Sequence, residues 1–248
     1  MKVLATYNIK GGVGKTAAAV NLAHRAASAG NRVLVWDLDP QAAATFYFRV
    51  KPKVKGGGEA LVRGDRELDG IIKGTDYDNL DLVPADFSYR NLDLLLDDAK
   101  KPLGRLRRLL TPLRKEYDVV ILDCPPSISL ASEAVFRASD VLVVPVTPTT
   151  LSIRTFDQLD AFVDANPDVV RRLQVLGFFS MVDRRKRLHR DLVAQLRTQR
   201  PDLLRTQIPS ATDVERMGLH RAPVAAFAPG SRAARAYTEL WREISTHL

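Results

Sequence analysis

Seven consecutive residues, Lys10-Gly11-Gly12-Val13-Gly14-Lys15-Thr16, bring together glycines, two lysines and a hydroxyl. Glycines let successive backbone N–H groups turn inward, and a helix starting at the end of such a loop aims its positive dipole end at an anion. The chemistry is that of a phosphate loop: Lys15 meets the charge of a triphosphate, and the Thr16 hydroxyl is suited to coordinate magnesium. Two acids stand at the ends of apolar runs. One run closes in Asp37-Leu38-Asp39-Pro40-Gln41, the other in Val119-Val120-Ile121-Leu122-Asp123. A carboxylate at the C-terminal end of a parallel strand points into the crevice where ligands bind. Asp123 has the setting of an acid that holds magnesium through water. Cys124 beside it reads as a small buried residue, not a reactive thiol.

The elements that must carry these groups follow from periodicity. Short apolar runs rich in β-branched residues recur at Lys2 to Tyr7, Arg32 to Trp36, Leu80 to Val83, Val119 to Leu122, Val141 to Val146 and Val175 to Met181. Buried parallel strands have this composition. Helical patterns lie between them: Ala17 to Ala29 with Gly30 as the stop, Leu103 to Leu113, and Leu151 to Val163. The alternation predicts an α/β fold, a doubly wound and mostly parallel sheet flanked by helices, with one domain over residues 1–248. Lys51 to Gly58 breaks the rhythm, and its basic, glycine-rich composition suggests an exposed mobile loop.

At 248 residues the chain is long enough for a sizeable core. Its one cysteine excludes an intrachain disulfide, and its four histidines are not at metal-ligand spacings. With no basic-then-apolar leader and no long apolar run, a cytoplasmic location is expected. The net charge of +8 favours a polyanionic partner. From residue 181 onward there are 13 Lys and Arg against 7 Asp and Glu, so +6 of that charge lies in the last third.

The loop departs from the general phosphate-loop pattern, because Ile9 stands where a glycine is expected. With a lysine at its head, KGGVGKT resembles the deviant Walker A motif of the ParA/MinD family of P-loop ATPases, and the likeness runs from Val3 to the helix around Ser231 to Tyr237. The resemblance implies ATP and Mg2+ as cofactors, with Lys10 through Ala17 around the phosphates and Lys10 reaching the nucleotide of a second subunit in a sandwich homodimer. Lys10, Lys15 and Asp39 would be the catalytic residues. Asp39 would orient the attacking water, Asp37 would lie close to the magnesium shell, and the metal set would be Thr16, Asp39 and, through water, Asp123. Pro125 to Ser129 would sense the γ-phosphate. Met181, Asp183 and Pro209 resemble the family's base-binding loops. The region Ser210 to Arg221 departs from the pattern of chromosomal ParA proteins.

Arg184, Arg185, Lys186 and Arg187, with Arg190, form a basic run, and Arg216 and Arg221 follow. Such clusters hold phosphates without reading bases, so non-specific, nucleoid-associated DNA binding is expected. A loop beginning at residue 10 leaves no room before it for a helix-turn-helix domain, which sets operator-specific repression aside. The function implied is a dimerising ATPase switch that positions a plasmid, chromosome region or protein assembly, its hydrolysis stimulated by a ParB-like adaptor or equivalent. A MinD-like membrane-associated ATPase ranks second, since the stripe Ala233, Ala236, Tyr237, Leu240, Trp241, Ile244 on the last helix is expected to pack on the sheet. A metabolic enzyme on the same fold, such as a dethiobiotin-synthetase-like ligase, is a third possibility.

Overall fold

The computed structural model describes residues 1–54, 56–170, 173–200 and 202–248. Its first half contains β1 (Lys2–Thr6), α1 (Lys15–Ser28), β2 (Val33–Asp37), α2 (Ala43–Tyr47), α3 (Gly57–Arg63), β3 (Lys73–Gly74), β4 (Leu80–Val83), α4 (Leu92–Asp97), α5 (Arg105–Leu110) and β5 (Val119–Asp123). The second half contains α6 (Leu130–Ala138), β6 (Val141–Val146), α7 (Thr150–Ala165), α8 (Pro167–Val170), β7 (Gln174–Val182) and α9 (Arg187–Gln199). It closes with β8 (Gln207–Pro209), α10 (Thr212–Glu215), α11 (Met217–His220), α12 (Val224–Phe227) and α13 (Arg232–Ser245).

The eight strands form one sheet in the order β3-β4-β2-β5-β1-β6-β7-β8. Every pairing is parallel except that of the two-residue edge strand β3 with β4. Helices cover both faces, which is why the central strands β2, β5 and β6 are buried along their whole length. Successive strand residues point to opposite faces. Leu4, Val33, Val35, Val119 and Ile121 therefore enter the core beneath α1 and α13, while Val3, Ala5, Leu34, Trp36, Val120 and Leu122 enter the one beneath α5, α6 and α7. The same alternation carries Thr6, Asp37 and Asp123 onto the α1 side. They stand level with one another, because Thr6 and Asp37 both pair with Asp123. The apolar stripe of the last helix packs inward as expected, with Tyr237, Leu240, Trp241 and Ile244 buried.

Three departures from the sequence expectation have local causes. The helix expected over Leu103 to Leu113 is shortened to α5, flanked by 3₁₀ turns that begin at Pro102 and Pro112; a proline cannot donate the hydrogen bond a helix interior requires. Strand β7 extends one residue beyond the expected run at each end, and Met181 within it adopts a left-handed φ of 57° at a register shift against β8. The glycine-rich stretch is docked, not loose. Val54 is buried and its N–H donates to Asp86 Oδ2 at 2.7 Å, and Gly58, in the first turn of α3, donates its N–H to Ser88 Oγ at 2.8 Å. A Cβ at Gly58 would stand 2.8 Å from the Tyr89 ring, so only glycine lets the chain approach there. Lys55 of that stretch lies outside the described residues.

Candidate functional site

The phosphate loop joins β1 to α1 at the C-terminal end of the sheet. Asn8 fastens its entry: its Oδ1 accepts from Lys10 N–H and its Nδ2 donates to the Pro145 carbonyl, both at 2.9 Å. Gly14 closes the loop with a φ of 97°, a region that a side chain would strain, and a Cβ there would lie 3.0 Å from Ser180 Oγ. Helix α1 starts at Lys15, and no side chain caps it. Its first N–H groups are therefore free for an anion. A Cβ at Gly11 or Gly12 would meet nothing within 4 Å, so the loop borders open space.

Lys15 is buried, with its Nζ donating to the Lys10 carbonyl at 3.2 Å. Burial pulls its pKa down, and Asp123 and Asp39 oppose that shift. Asp123 is fully buried, and burial together with the neighbouring Asp37 raises its carboxyl well above the usual carboxylate range. Its Oδ1 accepts a long bond from Thr6 Oγ1 at 3.3 Å, while its Oδ2 is buried with no hydrogen-bond partner. A buried carboxylate oxygen without a partner is costly unless a cation or donor meets it. Asp123 with Thr16, which helps hold that carboxyl charged, fits a hard divalent cation with oxygen ligands.

Asp37 differs. Its Oδ2 accepts from both the N–H and the hydroxyl of Thr45 at 2.8 Å, and its Oδ1 accepts from Asp39 N–H at 3.2 Å. Burial raises its pKa to about 6. With both oxygens engaged, Asp37 stands beside the candidate metal position and acts by holding the turn that carries Asp39. Asp39 is half-buried, and one of its oxygens accepts from Gln41 N–H at 2.9 Å.

A cavity of about 410 Å³ opens over the loop. Gly11, Gly12, Gly14, Lys15, Thr16, Ala17 and Asp39 line its phosphate end, with Pro126 from the turn after β5. Met181 and Pro209, two members of the expected base-binding set, also line it. Five expected site residues do not line it: Asp37 and Asp123, both fully buried, and three others. Val13 is packed in the interior. Lys10 is not among the residues that line the cavity, and it has no ion-pair partner among the described residues. Asp183 is a correction to the expected base-binding set: beyond the Met181 distortion it turns to Arg185, which clasps it at 3.0 and 3.1 Å and lowers its pKa to about 2.

The sequence reading missed Ala43, Tyr47, Ser180, Ala211, Val214 and Glu215, which also line the cavity. It also missed Asn21, whose one signal is a polar residue on the apolar face of α1. The Asn21 amide donates to Met217 Sδ at 3.2 Å and accepts from Val224 N–H at 2.8 Å. One side chain thereby ties the helix behind the phosphates to the segment that closes the far side of the cavity.

The expected DNA-binding residues separate into two groups. Arg184, Arg185, Lys186 and Arg187 sit at the N-terminal end of α9, where the helix dipole disfavours cations. Arg185 is held by Asp183, and Arg187 lies 3.5 Å from Asp191. Arg216 is exposed between α10 and α11. Arg221 is turned inward, with Nε on the Phe46 carbonyl at 3.1 Å and its guanidinium 4.6 Å from the Phe46 ring centroid. Arg184 instead shares two crevices at the β8 edge. Arg232 and Arg235 line one of about 290 Å³, and Arg190 and Arg197 line the other, of about 270 Å³. Residues 232 and 235 are three apart on α13 and so share a face; that spacing was the available signal.

Removing the Lys15 side chain should lower ATP affinity by about 100-fold, since charge-assisted hydrogen bonds contribute roughly 1.5–3 kcal/mol each. Titration calorimetry checks this, and affinity within threefold of the parent would deny Lys15 its role.

The family model AAA_31, described as an AAA domain, matches residues 1–172. The sporulation initiation inhibitor protein Soj of Bacillus subtilis is 31% identical over 99% of this chain and 99% of its own length. Among solved structures, cobyrinic acid a,c-diamide synthase from Mycobacterium smegmatis with bound ADP and magnesium superposes with a TM-score of 0.83, at 27% identity, covering 100% of this chain and 95% of that one. A putative plasmid partition protein from Borrelia burgdorferi bound to AMPPNP has a TM-score of 0.85 at 23% identity, over 100% and 99% of the two chains, a likeness of fold.

Proposed function

The chain belongs to the ParA/MinD family of P-loop ATPases, and we propose that it is an ATP-driven dimer switch that holds DNA without reading sequence and positions a cargo. The single observation that carries this reading is Lys10. It heads a phosphate loop built for a triphosphate, yet its ammonium neither lines that loop's cavity nor meets a carboxylate of its own chain among the described residues. A second copy facing the same end of the sheet supplies the anion it lacks. Exposed apolar side chains favour such a face: Phe87 follows β4, Ile128 follows β5 and Leu151 follows β6, each more than half exposed. Exposed apolar groups gathered at one end of a sheet suit an interface.

Within the site this reading gives each residue a task. Backbone N–H groups of the loop and of α1 would hold the phosphates, Lys15 would neutralise their charge, and the Thr16 hydroxyl, Asp39 and, through water, Asp123 would hold Mg2+. The metal supplies charge neutralisation to the transferring phosphoryl group. Asp39, at the phosphate end of the cavity, orients the attacking water, and the turn from Pro125 to Ser129 responds to loss of the γ-phosphate. Met181 and Pro209 pack against the base. The product is ADP and phosphate, and the two nucleotide states are the states of the switch.

The DNA surface in this reading is the pair of arginine crevices that meet at Arg184 on the β8 edge, joined by the exposed Arg185, Lys186, Arg187 and Arg216. Phosphate contacts of this kind release counterions and give steep salt dependence. Replacing Arg184 and Arg232 by glutamate should weaken ATP-dependent DNA binding and flatten its log–log salt slope by roughly 0.9 per lost phosphate contact. Filter binding across a salt series measures this. DNA binding that is the same with ATP and without nucleotide would remove the switch. A cargo-linked adaptor that stimulates hydrolysis, and association with the nucleoid, complete the proposal.

The named synthase among the structural neighbours supports a second reading, an ATP-dependent ligase acting on a small carboxylic acid. It requires a metabolite that raises ATP turnover with no DNA or protein partner present. For the membrane alternative, no helix among the described residues is long and apolar enough to cross a bilayer.

A further inference from the structure

We infer that the crevice at the end of the sheet opposite the phosphate loop is a second anion site, one that takes a soluble oligophosphate. Its volume is about 570 Å³. Lys2 lines it from the start of β1, Arg107 from the last turn of α5, Arg114 from the 3₁₀ turn that follows, and Arg137 from the last turn of α6. The five residues of β1, at about 3.3 Å each, separate it from the nucleotide cavity.

Lys2, Arg107 and Arg114 share one space with Arg137, whose Nη1 donates to the Asp168 carbonyl, and none of the four has a carboxylate within ion-pair distance among the described residues. The one acid in the lining, Asp140, is already engaged: its Oδ2 accepts from Val3 N–H at 2.9 Å and its carbonyl from Gln174 N–H at 3.0 Å. Attraction to a helix C-terminus accounts for a basic residue at the end of α5 and another at the end of α6. It does not account for their convergence with Lys2 and Arg114 on a single cavity. Like charges gathered this way raise one another's energy, and a compact polyanion relieves that repulsion better than a single monovalent ion.

The lining also selects among anions. Guanidinium groups present paired donors that match phosphate oxygens, and three of the four cations here are arginines. No aromatic ring lines the crevice to stack a base, and its apolar floor is Leu110 and Ala138. Linked phosphoryl groups, not a nucleobase, are what it recognises.

The test titrates the full chain with inorganic tripolyphosphate by calorimetry, in two settings that remove the phosphate loop as a competitor: the Lys15→Ala variant, and the unaltered chain saturated with ADP. One equivalent should bind in both. Arg107→Gln with Arg114→Gln should weaken it at least 10-fold, while Arg232→Gln with Arg235→Gln should leave it within twofold. Arg107 and Arg114 are exposed, so the fold should tolerate the change; should the pair unfold the chain, Arg114→Gln alone carries the test with at least a threefold loss. Equal affinity after the substitutions, or no binding in either setting, overturns the site. So does dependence on these arginines for phosphatidylglycerol vesicles with none for tripolyphosphate. ATP turnover without tripolyphosphate should not change, so failure here leaves the dimer switch untouched.

Discussion

Asp39→Ala is expected to reduce ATP turnover by at least ~100-fold while leaving ATP binding within threefold, because positioned acid–base groups contribute about 10²–10⁴ to rate. The separation of these two effects follows from the geometry. Asp39 lines the phosphate end of the cavity but is not the buried acid beside Thr6 and Thr16; that position belongs to Asp123. Its loss therefore spares the buried acid and the phosphate cradle and removes the group that aligns water. The protein should then accumulate as an ATP-loaded dimer that stays on DNA, and size-exclusion chromatography with ATP should show the larger species persisting after the parent has returned to monomer. An unchanged hydrolysis rate would take Asp39 out of the reaction. The same variant is the reagent for capturing the cargo-linked partner.

Lys10→Ala should have the opposite outcome: nucleotide still binds, and the dimer does not form. Within one chain the contribution of Lys10 to the loop is made by its backbone, whose N–H goes to Asn8 and whose carbonyl accepts from Lys15. Alanine preserves both bonds, so ATP affinity should remain within about threefold. What disappears is an ammonium available to a facing copy. A charge-assisted contact contributes about 1.5–3 kcal/mol, and a symmetric dimer contains two such contacts, so association should weaken by more than ~100-fold. Analytical ultracentrifugation with ATP measures this directly. A Lys10→Ala chain that dimerises as tightly as the parent would end the idea of a lysine acting across the interface.

The chemistry of the phosphate end was legible in the sequence because it depends on local order. A strand, a glycine turn and a helix start follow one another without interruption, and the two acids close strands whose alternation fixes their facing. The remainder depends on contacts between distant segments. That Asp183 would be taken up by Arg185 could not be read from periodicity, since it lies just past the left-handed Met181 and the register shift of β7 against β8. The docking of the glycine-rich stretch depends on Asp86, 32 residues further on. The arginine crevices form only because β8 is laid beside β7, which brings the start of α13 against the start of α9. Prolines 102 and 112 could have been read as helix boundaries, and their presence explains why the pattern between them overstated one helix.

Asn21 has a mechanical consequence. By clamping the backbone of residue 224 and the sulfur of Met217 to the helix behind the phosphates, it makes the two walls of the nucleotide cleft a single rigid jaw. Work done when the terminal phosphate departs must then appear on the opposite flank. There the turn after β5 hangs from one phenol, Tyr7, whose hydroxyl holds the Ser127 carbonyl at 2.7 Å. In the switch proposed above, that bond must yield before the turn can move.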